Sequence, residues 1–237
     1  MSTPSQDSIS PQLASFSSCE ISDALVKLGV KSGGHIPDIE MYSPHSVRVP
    51  DAEGVKICGP AFTVKMVEAS DKTSPTPSDH FVDAAPRGHV VVISAPRHLK
   101  SAVWGGLMSA GAKAHGVLGV VLDGRCRDIS EHRSLSFPVF ARGHSTLGQG
   151  TFSRPSELNV PLTIEPRWEG EGFSFAATEV HPGDVVVADL DGVVCVPRRL
   201  VGDVVARCGK GREVDERCME DIRAGRPIKE TFAKWRG

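Results

Sequence analysis

The sequence predicts an α/β fold with one sizeable core, and three observations point there. Short apolar runs of strand length recur in the middle of the chain, at Val90–Ser94, Val117–Leu122 and Pro138–Ala141. Segments with helical spacing separate them, at residues 101–115 and again just after Asp128. Strand-rich stretches flank this alternating centre, at 55–67 and 160–196. Strands alternating with helices are the pattern of parallel βαβ units. A chain of 237 residues with 40% hydrophobic content has enough apolar material for a single core.

Residues 1–10 are polar and aperiodic and are expected to be disordered, with one domain over 11–237. Leu13–Leu28 carries Ile21, Leu25 and Leu28 at helical spacing, and Gly29 is placed to end that helix. Lys31–Pro50 is rich in Gly, Pro, Ser and His, hence mostly loop. Val55–Val67 holds strand-like runs with a turn expected at Gly59-Pro60. Ser70–Asp79 is polar and proline-bearing, which suits a surface insertion better than a lid. A short helix at His80–Ala85 precedes the strand at 88–94. Ala102, Leu107, Ala110 and Ala114 are candidates to line one face of the next helix. Gly143–Pro155 is expected to be loop, followed by strands at Val160–Glu165 and Gly172–Val180. Asp189-Leu-Asp-Gly192, between Val185–Ala188 and Val193–Val196, is a hairpin turn signal. Arg199–Arg236 is charged and helical in period.

The richest chemistry lies in GVLGVVLDGRCRD, residues 116–128. A buried strand bounded by Asp123-Gly124 delivers Arg127 and Asp128 to a strand-to-helix turn. Arginine offers a planar fork that matches a carboxylate. Aspartate suits a hard divalent cation, which prefers oxygen ligands. One unit upstream, Gly105-Gly106 open a helix, where a ligand can approach the backbone and free N–H groups face an anion. Simpler explanations exist for both: helix-start charges or a surface ion pair, and close packing of helix on strand. Asp128 and His132, four apart, share a helical face from which both could reach a metal, and Glu131, three away, competes for that role; an exposed helix of mixed charge accounts better for all three. Asp189 and Asp191 are better explained by turn formation than by acid–base chemistry. Gly143-His-Ser145 and Gly148-Gln-Gly150 lack the partners of a hydrolase or a dinucleotide fingerprint.

The stretch WGGLMSAGAKAHGVLGVVLDGRCRD resembles the core signature of the RraA-like family. GPAFTV at 59–64, FPVFARG at 137–143 and VHPGDVVVADLDGVVCVP at 180–197 extend the resemblance over most of residues 15–230. That family includes 4-hydroxy-4-methyl-2-oxoglutarate aldolases and oxaloacetate decarboxylases. The resemblance implies the swivelling β/β/α fold and a homotrimer, or a hexamer built from trimers. It also implies a metal-dependent lyase that cleaves a small α-keto acid through a pyruvate enolate. Asp128 would bind Mg²⁺ or Mn²⁺, Arg127 would be the catalytic cation, and Gly105, Gly106, Leu107 and Met108 would bind substrate with Arg127. Bacterial aldolases of this type commonly carry an acid near the position of Gly106; its absence here bears on metal affinity and on the aldol base, and less on decarboxylation. A replacement acid from a neighbouring subunit would come from Glu213, Asp215 or Glu216. Two alternatives belong to the same resemblance: a non-catalytic regulator that binds a protein partner, and a lyase or isomerase acting on a larger keto acid.

Composition bounds the partners. The net charge of −2 argues against nucleic acid or an anionic membrane surface, both of which call for a basic excess. No apolar run is long enough to span a bilayer, and the N-terminus lacks the pattern of a secretory signal. Six cysteines are scattered without a CxxC pair, so free thiols in a reducing, cytoplasmic setting are expected, with Cys126 a spacer in the turn.

Overall fold

The computed structural model describes residues 12–44, 54–167 and 175–236. The stretch expected to be disordered, 1–10, lies outside them, as does part of the loop expected at 31–50. The chain forms β1 (His35–Ile36), β2 (Glu40–Ser43), β3 (Ile57–Glu68), β4 (Val90–Ser94), β5 (Gly119–Cys126) and β6 (Val139–His144). It continues with β7 (Ser153–Leu158), β8 (Leu162–Ile164), β9 (Thr178–Val180), β10 (Val185–Asp189) and β11 (Gly192–Val196). The helices are α1 (Ser18–Lys27), α2 (Phe81–Ala84), α3 (Gly106–His115), α4 (Ile129–Ser134), α5 (Val201–Arg223) and α6 (Ile228–Trp235). Among the described residues, nine strands form one sheet in the order β1-β11-β10-β3-β4-β5-β6-β2, with β7 also on β3. The four strands β3, β4, β5 and β6 are mutually parallel.

β3 is where the sheet changes character. Its first residues, Ile57–Pro60, pair antiparallel with β10, Ala61–Lys65 pair parallel with β4, and Val64–Glu68 pair antiparallel with β7. The turn expected at Gly59-Pro60 is therefore absent, and one unbroken strand carries the chain from one half-sheet to the other. Proline is tolerated there because the ladder is handing over: the next residue, Ala61, donates instead to Asp184 O at 2.8 Å. β7 was not foreseen either; its sequence, SRPSEL, has no apolar alternation, and it is held to β3 by the backbone ladder and a Lys65–Glu157 ion pair at 2.9 Å.

Alternation along the strands builds three cores. Val91 and Ile93 of β4 pack with Phe81, Val82 and Ala112 under α2 and α3. Val90 and Val92, on the opposite face, pack with Ile164, Val186, Ala188 and Val193. Because that second core holds residues of both half-sheets, the sheet folds over on itself. Val185, Val187, Val194 and Val196 then meet Ile21, Leu25, Val204 and Cys208 of α1 and α5 in the third core. Strands buried on both faces read as continuous apolar runs, which is why VVVIS and GVVCV carry no polar alternation.

Several boundaries move from expectation. α1 begins at Ser18, not near Leu13, because Ser17 and Glu20 form a reciprocal capping box. The carboxylate of Asp189 accepts from Ser18 N at 2.8 Å and Ser18 Oγ at 2.6 Å, so this hairpin acid is structural, as its turn position suggested. The expected hairpin is present, with Asp189 opposite Gly192. The charged tail is two helices, interrupted where Gly225 takes φ +85° and Pro227 starts α6. The insertion at 70–79 lies on the surface and is tied down: Arg154 donates to the carbonyls of Asp71, Ser74 and Pro75 at 2.9, 2.7 and 2.7 Å. The hydroxyl and N–H of Ser74 hold the Asp71 carboxyl well below the usual carboxylate range. No helix among the described residues is long and apolar enough to cross a membrane.

Candidate functional site

The site forms beyond the carboxyl ends of β4 and β5, where open α/β sheets characteristically bind ligands. β5 does not stop at Asp123-Gly124 as the sequence suggested; an irregularity between Leu122 and Arg125 lets it continue to Cys126. Asp123 is buried instead, joined to Ser94 Oγ and to the guanidinium of Arg142. Residues 101–104 lie extended along the end of β5, with Val103 N donating to Arg125 O at 2.9 Å and Arg127 N to Trp104 O at 3.0 Å. The start of α3 is thereby pinned against the Arg127-Asp128 turn.

Asp128 has φ 62° and ψ 44°, the left-handed region, which aspartate visits more readily than most residues. An N-cap ordinarily sits in the extended region and caps its own helix. Here no side-chain cap forms on α4, and Asp128 Oδ2 accepts the N–H of Gly106 at 3.0 Å. The carboxylate has been turned from the helix that follows it to the helix that precedes it. Arg127 Nε lies 3.4 Å from the same oxygen, and the two side chains are 45% and 33% exposed, open to a ligand. The guanidinium runs on toward Gly148, where a Cβ would stand 2.7 Å from Nη1. Gly105 is equally required for space, since a Cβ there would come within 2.8 Å of Asp128 Oδ2. Gly105 caps α3 without a side-chain hydrogen bond, so the N–H groups of Leu107 and Met108 at its first turn remain available to an anion.

The structure thus brings together Gly105, Gly106, Leu107, Met108, Arg127 and Asp128. It corrects the expected apolar face of α3. Ala102 precedes the helix, Leu107 is 88% exposed, and the buried positions are Gly106, Ser109 and Ala112. A buried hydroxyl is tolerated at 109 because it is satisfied: Trp104 Nε1 donates to Ser109 Oγ at 2.8 Å, and Ser109 Oγ lies 2.9 Å from His132 Nδ1. His132 is fully buried, not on an exposed mixed-charge face. Tryptophan only donates, so Ser109 Oγ accepts from it, and the hydrogen bond between Ser109 and His132 extends the chain to α4. This chain locks α3 to α4 directly beneath the site. Burial pushes the His132 pKa below the usual histidine value, opposed by the backbone of Arg127 and the carboxylate of Asp128. A histidine with a depressed folded pKa is protonated more readily in the unfolded chain. The native state is therefore fully favoured above about pH 6.5 and loses stability as pH falls below it. Thermal denaturation between pH 5 and 8 is expected to show that loss in wild type and a flatter profile in His132→Asn; parallel profiles would remove His132 as the cause.

Glu131 is exposed, as a helix face of mixed charge predicts, and its carboxylate also reaches the start of α3. A Cβ on Gly106 would stand 1.7 Å from Glu131 Oε2. Spacing alone held no signal for this, because it depends on how α4 docks on α3. Cys126 is buried, its thiol pushed up to about 12 by burial, in keeping with a spacer. Glu213, Asp215 and Glu216 are exposed on α5, which packs on the core opposite to that of α3, and Asp215 is held by Arg236 at 2.6 Å. One chain does not bring them to Asp128.

A hydrated Mg²⁺ or Mn²⁺ fits this donor set. Among the described residues no three His, Cys, Asp or Glu converge, so no closed all-protein cage forms. Magnesium is ordinarily held by one or two carboxylates while it keeps waters and shares oxygens with substrate. Asp128, anchored through one oxygen by Gly106 N–H, is such a carboxylate.

Fold and site together define an α/β protein with a cationic and an anionic side chain delivered side by side to a glycine-lined helix start. The chain belongs to the RraA-like family: the model described as Aldolase/RraA matches residues 18–195. A protein of Halalkalibacterium halodurans, provisionally named a 4-hydroxy-4-methyl-2-oxoglutarate aldolase, is 31% identical over 164 residues, covering 69% of this chain and 70% of that protein. Protein DlpA of Legionella pneumophila is 28% identical over 221 residues, 92% of this chain, and this chain spans only 32% of its length. A crystal structure of an uncharacterized protein from Pseudomonas syringae pv. tomato superposes with a TM-score of 0.76 at 29% identity, covering 97% of this chain and 99% of that one.

Proposed function

We propose that this protein is a divalent-metal-dependent carbon–carbon lyase acting on a small α-keto acid. Its reactions would be oxaloacetate decarboxylation, 4-hydroxy-4-methyl-2-oxoglutarate aldol cleavage, or both. The observation that carries the reading is the Asp128 carboxylate, diverted from capping α4 and fixed by Gly106 N–H beside the Arg127 fork. Asp128 would hold the cation, Mg²⁺ or Mn²⁺, which supplies Lewis-acid polarisation of the substrate's carboxylate and keto oxygens. Arg127 grips a substrate oxygen through its planar fork, and the N–H groups of Leu107 and Met108 face the same negative charge. Cleavage of C3–C4 releases CO2 from oxaloacetate or, once a base has taken the C4 hydroxyl proton, the C4 carbonyl fragment of the aldol substrate; the bonding electrons remain as a pyruvate enolate, which takes a proton at carbon from water. Donors already aimed at the developing oxyanion lower the barrier without reorganising. The buried Trp104–Ser109–His132 chain keeps the two donor helices in register. Trimers, or hexamers built from trimers, complete this reading.

Purified protein incubated with Mg²⁺ and oxaloacetate is expected to release pyruvate above the metal-only background, and EDTA should return the rate to that of the uncatalysed reaction. Full activity after exhaustive chelation would overturn the metal assignment. No enzymatic release from either keto acid would overturn the lyase.

A further inference from the structure

We propose that Glu131 is the second acid of the Asp128 site, a positioning residue that holds the water of a hydrated divalent cation from the volume left open by Gly106. The inference rests on the reading of Asp128 as the cation-holding residue and adds a residue to it.

Two carboxylates converge on two adjacent glycines. The Cβ position of Gly105 lies 2.8 Å from Asp128 Oδ2, and that of Gly106 lies 1.7 Å from Glu131 Oε2 and 2.6 Å from Glu131 Cδ. A side chain at 106 would have to displace the Glu131 carboxylate, the end of a flexible side chain, so the absent side chain is what gives that acid its place. The backbone directs it: Asp128 in the left-handed region starts α4 at once, Glu131 N donates to Asp128 O at 3.0 Å, and Ser134 Oγ donates to Glu131 O at 2.9 Å. Glu131 then sits one turn into α4 on the side that faces α3.

Of the two acids, Asp128 is paired with Arg127 and Glu131 is open to solvent and to a ligand. Arg127 Nε is turned to Asp128, and its Nη1 lies against Gly148. Among the described residues Glu131 has no ion pair within 4.0 Å. Glu131 is exposed and lies in the first turn of α4, so water and two helix N-termini temper its repulsion with Asp128; a divalent cation between the two carboxylates would neutralise them directly. Magnesium-type ions keep much of their water, and acids that orient such water are part of the site. Glu131 supplies that acid within one chain, without the C-terminal acids of a neighbour.

A Mn²⁺ titration of the full chain, read by the paramagnetic resonance of free Mn²⁺, tests this independently of activity. Glu131→Gln keeps the shape and removes the charge, and should weaken Mn²⁺ binding by about 10-fold. Moving the acid back onto residue 106, in Gly106→Asp with Glu131→Ala, should restore affinity to within about threefold of wild type, because the carboxylate returns to the same volume. If Glu131 merely favoured the α3 dipole, Glu131→Gln would lower the melting temperature and leave Mn²⁺ affinity unchanged, which overturns the proposal. A double variant as weak as Glu131→Ala alone overturns it too. Wild-type Mn²⁺ affinity in Asp128→Asn instead refutes the underlying cation assignment, so the two failures are distinct.

Discussion

Asp128→Asn is expected to reduce metal-dependent pyruvate release from oxaloacetate by at least about 10²-fold while leaving the fold intact. Asparagine is the informative substitution. It keeps aspartate's tolerance of the left-handed region, which residue 128 occupies at φ 62°, and still offers an oxygen to Gly106 N–H at 3.0 Å. What it removes is the negative charge that a divalent cation requires. Asp128→Ala would add a backbone penalty of about 1–2 kcal/mol, equivalent to a few degrees in melting temperature for a chain of this size, and so mix two effects. A lactate-dehydrogenase-coupled assay across a Mg²⁺ series, with melting curves for both variants, separates them. An asparagine variant within twofold of wild type would move the cation away from Asp128.

Arg127→Lys is expected to lower kcat/KM for oxaloacetate by about 10²-fold, as for the loss of one preorganised oxyanion donor. The substitution keeps the charge and the backbone bond from residue 127 N to Trp104 O, so the turn should hold. It loses the planar fork that extends past Gly105 to Gly148. If Arg127 acts chiefly on the developing enolate, kcat falls with kcat/KM; if it only binds the ground state, KM rises alone. Steady-state kinetics on both variants decide this, and a lysine enzyme within twofold of wild type would reduce Arg127 to attracting charge.

The candidate site was partly legible in one dimension. Arg127, Asp128, Gly105 and Gly106 lie in two short strand-to-helix turns, and βα connections place such turns at one end of a parallel sheet. Glu131 and His132 were not legible. A solvated face accounts for Glu131, which is exposed, but not for its neighbour His132, fully buried against Ser109, and it does not reveal that the Glu131 carboxylate reaches Gly106. Helical spacing says which residues share a face; it does not say which face another helix covers. Gly148 is silent for the same reason, since its need for space is created by a guanidinium that arrives from residue 127.

Sequence by itself determined the alternating α/β centre, the hairpin at Asp189–Gly192 and the pairing of an arginine and an aspartate at a strand end. Each rests on local chemistry: apolar runs that must be buried on both faces, and turn residues with their own backbone preferences. Tertiary structure alone decided that β3 runs straight through Gly59-Pro60, that SRPSEL becomes a strand, and that α3 buries Ser109 and exposes Leu107. In each of these the local preference is weak or contrary. A partner supplied by a distant segment settles it, through a ladder hydrogen bond from β10 or β7 or a hydroxyl satisfied by Trp104 and His132.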